Sequence, residues 1–398
     1  MEHSSRLCGT GRSANRYNQG MRRGSKKNRL MDYWVGIPLL NVLATARAAG
    51  RRRQWPSQVK RVGVMCSPAL GDTLLFSAAL RDVRAHFADT EIVHFCMTQN
   101  LAAAELIPGA DRRVLIDLTK PAESVRQIRA ERVDVMLDFT SWQRLTAFYS
   151  LMSGAKFTAG FQTAGQYRGR GYDVTVEHRA DQHEVENFRN LIRMVGLTAG
   201  LEPQVIVPEV ATEPLTEAQD IVVFHLWASG TRSWLREWPE ERWIALAARL
   251  AEPRTVFAIT GAPSDLERIE PFLLCMAKAG LKAVAFVGTD GFVSLAHLLR
   301  RARVVVSVNT GVMHLAAVLG APTVSINGPN RNGRWGPLGR RAIGVEAPGE
   351  GCGYLHLGFD FAGRATDCME RITVEMVLAA VNEVAGVPED AEVQTWKI

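Results

Sequence analysis

The chain has 398 residues, 47% of them hydrophobic and 22% charged, the make-up of a soluble globular protein with room for two domains. That excludes collagen, a coiled coil and wholesale disorder. The formal charge of +6 is unevenly spread: residues 1–60 hold thirteen Lys or Arg against Glu2 and Asp32, a net +11, which leaves −5 for residues 61–398. The body is mildly acidic, so the overall charge does not make it a nucleic-acid binder.

Residues 1–30 are rich in Arg, Lys, Gly, Ser and Asn and lack the apolar stretch of a secretory signal. A disordered basic leader is expected there, with Met21 and Met31 as alternative starts. In 31–60, an apolar run from Trp34 to Leu43 is followed by Arg47 and Arg51 to Arg53. It is short of the roughly 20 apolar residues a bilayer crossing needs. Two readings stay open, an amphipathic helix lying in the membrane interface or a helix packed on the body. Six cysteines without a C-x-x-C pair fit a reducing compartment, so a cytoplasmic protein is expected; Cys352 and Cys368 could approach each other in the fold, with two separate buried thiols the plainer reading.

From Arg61 onward short β-branched runs alternate with longer amphipathic stretches, the pattern of parallel sheets covered by helices. The first series of strands is Val62–Cys66, Glu91–Phe95, Arg113–Ile116, Val133–Asp138 and Lys156–Gly160, with helices at Thr73–Phe87, Ala122–Glu131 and Glu184–Val195. The second is Asp220–Leu226, Thr255–Thr260, Lys282–Val287, Arg303–Val308 and Thr323–Ile326, with helices at Glu240–Ala251 and Leu266–Ala279 and a closing one at Thr373–Ala385 that could pack on either half. The prolines Pro203, Pro208 and Pro214 interrupt periodicity between the two series. The expected organisation is a Rossmann-like domain over 61–200, a linker over 201–217, a second Rossmann-like domain over 218–385 and a tail over 386–398. A ligand cleft between the halves is expected, with the chemistry on loops after strands.

Three loops carry candidate chemistry. Ser67 to Thr73 follows the first strand and opens a helix: Gly71 suits a tight turn and close ligand approach, and Asp72 is either an N-cap or a general base. Asn309-Thr310-Gly311-Val312-Met313-His314 joins a strand to a small-residue helix, whose first amides and dipole favour phosphate; His314 either faces a pyrophosphate or packs inside. In Trp227 to Pro239, Ser229, Thr231 and Arg236 suit a diphosphate, since Arg offers a planar fork of donors. Gly261 and Asp265 follow the next strand, where Asp265 either meets a ribose hydroxyl or, the favoured reading, caps a helix. No Walker A, G-x-G-x-x-G or G-x-S-x-G pattern sits at a strand end, and no His and Cys group has zinc spacing, which disfavours P-loop, nicotinamide and structural-zinc chemistry.

Gly71-Asp72 with its following helix, Arg236-Glu237-Trp238-Pro239-x-x-Arg242-Trp243, and Asn309-Thr310-Gly311-x-x-His314-Leu315-Ala316-Ala317 together resemble glycosyltransferase family 9, which contains the bacterial ADP-heptose:lipopolysaccharide heptosyltransferases. The resemblance spans about residues 61–385. It implies an α/β GT-B fold: two Rossmann-like parallel-sheet domains facing across a cleft, the first for the acceptor and the second for a nucleotide-sugar. It also implies inverting transfer, most simply of heptose from ADP-heptose to a cell-envelope glycan or lipopolysaccharide-type acceptor, without metal or cofactor. On this reading Asp72 is the catalytic base, Ser229, Thr231, Arg236, Gly261, Asp265, Asn309, Thr310, Gly311 and His314 bind the donor, and Gly71, Arg168 and Arg170 belong to acceptor loops. Solvated side chains are the plainer reading of the two arginines. The family frequently has Asp where this chain has Asn309, which leaves the donor sugar open. Asp32–Leu39 is similar to N-terminal extensions of some relatives, in line with peripheral contact at the cytoplasmic face of the inner membrane. Two rivals remain: a GT-B transferase using another nucleotide-sugar on a protein or small molecule, and a non-catalytic nucleotide-sugar-binding protein.

Overall fold

The computed structural model describes residues 33–34, 36–48, 53–66, 69–209, 220–230, 232–287, 291–357 and 366–386. The leader 1–30, Thr231 and residues 387–398 of the expected tail lie outside them. Two compact units divide between Val207 and Pro208.

The first unit opens with helix α1 (Gly36–Ala48) and continues β1 (Arg61–Met65), α2 (Leu70–His86), β2 (Glu91–Cys96), α3 (Leu101–Leu106), β3 (Arg112–Leu115), α4 (Pro121–Ala130), β4 (Val135–Asp138), α5 (Arg144–Met152), β5 (Phe157–Thr163), β6 (Val174–His178) and α6 (Glu184–Met194). Its sheet is six-stranded and parallel, in the order β3-β2-β1-β4-β5-β6. Strands such as β1 (RVGVM) and β4 (VMLD) are apolar along almost their whole length because helices cover both faces of a parallel sheet.

The second unit runs β7 (Asp220–His225), α7 (Glu240–Leu250), β8 (Thr255–Gly261), α8 (Leu266–Lys278), β9 (Ala283–Val287), α9 (Gly291–Arg301), β10 (Val304–Val308), α10 (Gly311–Val318), β11 (Thr323–Asn327), α11 (Asn332–Trp335), β12 (Ala342–Glu346) and α12 (Val374–Gly386). Its sheet repeats the pattern as β12-β11-β10-β7-β8-β9, again parallel. Each sheet reverses its order at one place, between β1 and β4 in the first unit and between β7 and β10 in the second. In open α/β sheets the carboxyl ends of strands at such a switch point form the ligand crevice.

The strands expected from sequence agree with the structure to within a few residues, but two edge strands were not legible. The runs β6 (VTVEH) and β12 (AIGVE) are short and interrupted by polar residues or Gly, and their pairing comes from the neighbouring strand. Part of the stretch expected as linker is tied to the first unit. The amides of Gly200 and Leu201 donate to Asp82, Gln204 N donates to Ser77 Oγ at 2.9 Å, and Ile206 N donates to the Leu106 carbonyl at 2.7 Å. Helix α12 packs on the second unit, where Trp238 Nε1 donates to the Ile372 carbonyl at 2.8 Å.

The cysteine expectation needs one correction. Cys352 and Cys368 are not separate thiols but a disulfide, with Cα atoms 5.7 Å apart. The loop after β12 folds back on the end of β11, with Gly353 N donating to Gly328 O and Leu355 N to Pro329 O. That return brings together two cysteines 16 residues apart in sequence.

Candidate functional site

In the first unit Met65 at the end of β1 pairs with Asp138 at the end of β4, so the loop bearing Asp72 lies at the switch point. The helix after β1 starts earlier than its sequence suggested. Leu70 is its first residue and Ala69 its N-cap, with no capping side chain, so Asp72 is the third residue of α2 and not the cap. Gly71 is buried and lies in the first turn of α2, not in a separate tight turn. Asp72 is half-buried in the first turn of α2.

Beneath this turn lies a fully buried cluster. Asn100 Nδ2 donates to Thr73 Oγ1 at 2.9 Å, and Thr73 Oγ1 donates to the Ala69 carbonyl at 2.9 Å. Cys66 Sγ lies 3.7 Å from His94 Nε2. Burial pushes the Cys66 thiol up and the His94 imidazole down to about 3, so both are neutral near pH 7. They hold the first turn of α2 without charge.

Arg168 departs most from expectation. It is neither solvated nor set for an acceptor, but fully buried, with Nη2 2.8 Å from Asp138 Oδ2. Tyr172 Oη donates to the same carboxylate at 2.5 Å and Ser150 Oγ at 3.2 Å, while Thr140 N donates to Asp138 Oδ1 at 2.9 Å. Burial, then the adjacent Asp138 charge, raises the Tyr172 phenol well above its usual value. The pair pins both ends of the 168–172 turn to the end of β4. Arg170 does stay exposed, and its Nη1 donates to Asn41 Oδ1 at 2.9 Å.

In the second unit three adjacent strands, β8, β7 and β10, bring the donor candidates to one sheet end. After β7, Ser229 is exposed and its carbonyl accepts from Arg236 Nη2, which closes the loop on itself. Arg232 adopts a left-handed backbone with φ of 50°, and Ser233–Arg236 forms one 3-10 turn. After β8, Asp265 Oδ2 accepts from Ala262 N at 2.8 Å, so it orders its own loop start, close to the favoured capping reading, with Gly261 just before it. After β10, Thr310 is the N-cap of α10 and Gly311 its first residue, both half-exposed, while His314 is buried in the first turn. The amides of that turn are the ones an α-helix leaves without internal partners.

Asn309 is buried and its role differs from a plain sugar contact. Its Nδ2 donates to the Trp335 carbonyl at 2.8 Å and to Asn327 Oδ1 at 3.0 Å. Asn327 Nδ2 donates to Asn332 Oδ1, and Asn332 Nδ2 donates to the Gly344 carbonyl at 2.6 Å. The two carbonyls can only accept, so the amide orientations along the chain are forced. Both N–H groups of Asn309 are therefore used by the protein. Gly344 is required here, since a Cβ on it would stand 1.9 Å from Asn332 Oδ1.

Three participants at this sheet end escaped sequence reading. Asn327 and Asn332 carry the amide chain, and their signal was three asparagines near consecutive strand ends. His225 closes β7, with Nδ1 2.9 Å from the Thr260 hydroxyl and 3.1 Å from the Thr260 carbonyl. Its burial lowers it to about 4.

Comparison with known proteins bears on this arrangement. The family model described as glycosyltransferase family 9 (heptosyltransferase) matches residues 122–354. The lipopolysaccharide heptosyltransferase 1 of Escherichia coli K12 is 30% identical over 312 residues, covering 73% of this chain and 94% of the relative. Its Pseudomonas aeruginosa counterpart is 32% identical over 199 residues, half of each chain. Among solved structures, the family 9 glycosyl transferase of Veillonella parvula superposes with a TM-score of 0.68 at 18% identity, covering 82% of this chain and 97% of the other. The E. coli heptosyltransferase WaaC with ADP superposes with a TM-score of 0.60 at 20% identity, covering 81% and 99%. The architecture is the α/β GT-B fold.

Proposed function

This chain belongs to glycosyltransferase family 9, and from that premise we propose that it is an inverting heptosyltransferase of lipopolysaccharide assembly, with ADP-heptose as donor and a cell-envelope glycan or glycolipid hydroxyl as acceptor. The relatives' names supply the sugar and the acceptor class. The observation that carries the reading is the contrast between the two switch points, a half-buried carboxylate at one and a cationic loop beside a helix start at the other.

In this mechanism Asp72 takes the proton of the acceptor hydroxyl as that oxygen attacks the anomeric carbon. The bond from carbon to the diphosphate oxygen breaks on the opposite face, so configuration inverts and no covalent enzyme intermediate forms. Arg236 and the first amides of α10 stabilise the charge that develops on the departing diphosphate, a preorganised electrostatic role needing no metal ion. Ser229, Thr231, Thr310 and His314 complete the donor side. Asn309 shapes the pocket from below through its amide chain, and the donor sugar must find its partners elsewhere. The chain acts at the cytoplasmic face of the inner membrane through residues 31–60.

General-base catalysis is typically worth about 10²–10⁴ in rate. Asp72→Ala is expected to lose turnover by that order while ADP still raises its thermal midpoint as in the parent. Near-parental turnover of that variant, or a larger thermal shift with UDP or GDP than with ADP, would overturn the base assignment or the donor assignment respectively.

A further inference from the structure

The second unit carries a cavity at the end of its sheet opposite the loops described above. Arg303, Pro322 and Arg341 stand just before β10, β11 and β12 respectively, so all three lie at the amino ends of neighbouring parallel strands. With Arg300 from the end of α9, and Leu319 and Gly320 from just after α10, they line a cavity of about 390 Å³. That volume falls within the range of small-molecule sites, about 300–1,000 Å³.

Three guanidiniums border this cavity, and they differ in what offsets them. Arg303 is paired, with Nη1 3.0 Å from Asp220 Oδ2 and 2.7 Å from Glu252 Oε1, while its Nη2 donates to the Leu250 carbonyl at 2.7 Å. The side chains of Arg300 and Arg341 make no hydrogen bond or ion pair among the described residues. Arg300 is exposed, but Arg341 is half-buried and its Nε hydrogen is enclosed without an acceptor. A buried donor left without a partner is destabilising, so each one calls for an explanation. Nor do these arginines serve the adjoining helix end. That end closes on its own backbone, with Gly320 N donating to the Ala317 carbonyl at 3.0 Å and Ala321 N to the Ala316 carbonyl at 3.1 Å, Gly320 having a φ of 80°.

We propose that this cavity binds the phosphate monoester of a small sugar or polyol, at a site separate from the nucleotide end of the sheet. A phosphate monoester carries about −1.5 to −2 charges near pH 7, which matches the two guanidiniums that the protein leaves without a counter-charge. Arginine presents a planar fork of donors to phosphate oxygens, and one of those oxygens gives Arg341 Nε the acceptor it lacks. The volume exceeds what a bare phosphate fills and leaves room for a hydroxylated carbon skeleton. No aromatic side chain lines the cavity among the described residues, so a nucleobase has no ring to stack on. The site does not rest on the glycosyltransferase reading. It shares α10 with the proposed diphosphate site but lies at the other end of that eight-residue helix, which Gly311 starts and Leu319 and Gly320 follow.

Calorimetric titration of the full chain tests this, with glucose 6-phosphate and glycerol 3-phosphate as probes and glucose and glucose 6-sulfate as controls. At least one phosphate probe is expected to bind, with the same affinity in the presence and absence of saturating ADP. The singly charged sulfate is expected to bind more weakly, and glucose not at all. Arg300→Gln and Arg341→Gln are each expected to weaken the phosphate probe about tenfold or more, since each removes a hydrogen bond to a charged group. Arg300 is exposed, so its variant keeps the parental thermal midpoint; if Arg341→Gln lowers the midpoint, Arg300→Gln decides. Failure of both phosphate probes to bind the parent, parental affinity in both variants, equal affinity for the sulfate, or displacement of the probe by ADP would overturn the proposal. A chain that binds the phosphate probe through Arg300 and Arg341 but shows no response to ADP would count against the donor assignment and leave this site standing.

Discussion

The two units share one topology, six parallel strands with a single reversal of order, yet build opposite polar interiors at the reversal. The first buries a full charge pair, Asp138 with Arg168, and adds Tyr172, Thr140 and Ser150 around the carboxylate. The second buries a chain of neutral amides, Asn309, Asn327 and Asn332, running between two carbonyls. The difference shows that the fold fixes where polar groups gather, while side-chain chemistry decides what that place can bind. A site for a diphosphate must add no buried anion, and the amide chain satisfies its own groups without one. A site that pins a loop has no such restriction and can use a carboxylate.

Removing one partner is the harshest test of this contrast. Arg168→Met leaves Asp138 charged and buried, a change that typically costs about 3–5 kcal/mol. Calorimetry is expected to show a lowered transition for the first unit alone, with the ADP-dependent shift of the second unit retained. A single cooperative transition lowered as a whole would break the picture of two separable interiors.

Asn309→Asp attacks the other side. An acid there sets oxygen against the Trp335 carbonyl and Asn327 Oδ1 in place of two N–H donors, leaving buried groups unsatisfied at about 1–3 kcal/mol. The variant is expected to be less stable than the parent at pH 8 and to recover part of that loss on acidification, as the new carboxyl protonates and again offers a donor. Thermal midpoints across that range provide the measurement, and a stability equal to the parent's at pH 8 would sink the forced orientation of the amides.

What the units have in common can be broken as well. Each has a buried histidine at a strand of its sheet that desolvation lowers, His94 to about 3 and His225 to about 4. Both folded values lie below the unfolded value near 6.5, so the unfolded chain binds more protons and stability falls as pH drops from 6.5 toward 4. At pH 5 each histidine contributes about 2 kcal/mol of that loss, at 1.36 kcal/mol per pH unit. In urea titrations, His94→Gln and His225→Gln are each expected to flatten the decline between pH 6.5 and 5 relative to the parent. An unchanged slope in both would show that other groups drive it.

Much of this was legible from the chain alone. Runs such as Val304–Val308 and Ile221–Phe224 are buried strands on any arrangement, because β-branched segments of that length between helical stretches have few other ways to satisfy their backbone. Gly71-Asp72, Arg236 and Thr310-Gly311 likewise stood at strand-to-helix junctions, where local turn chemistry marks them. What local pattern left open or misjudged was the partner of each polar residue. Arg168 on a Gly-rich loop reads more readily as solvated, the cap reading of Asp72 sets it just before a helix that in fact begins at Leu70, and separate thiols are the plainer reading of Cys352 and Cys368, since each reading weighs mainly neighbours in sequence.

The sequence by itself therefore determined the alternation of strands and helices, the two-unit plan and the family, all of which rest on short-range periodicity and ordered motifs. The tertiary structure alone decided that Asp138 neutralises Arg168 across 30 residues and that Asn309 points its amide at Trp335 across 26. It also decided that α1 buries Leu40 and exposes Val42. These are contacts between segments distant along the chain, and a buried polar group or an exposed apolar one acquires its meaning only from what packs, or fails to pack, against it.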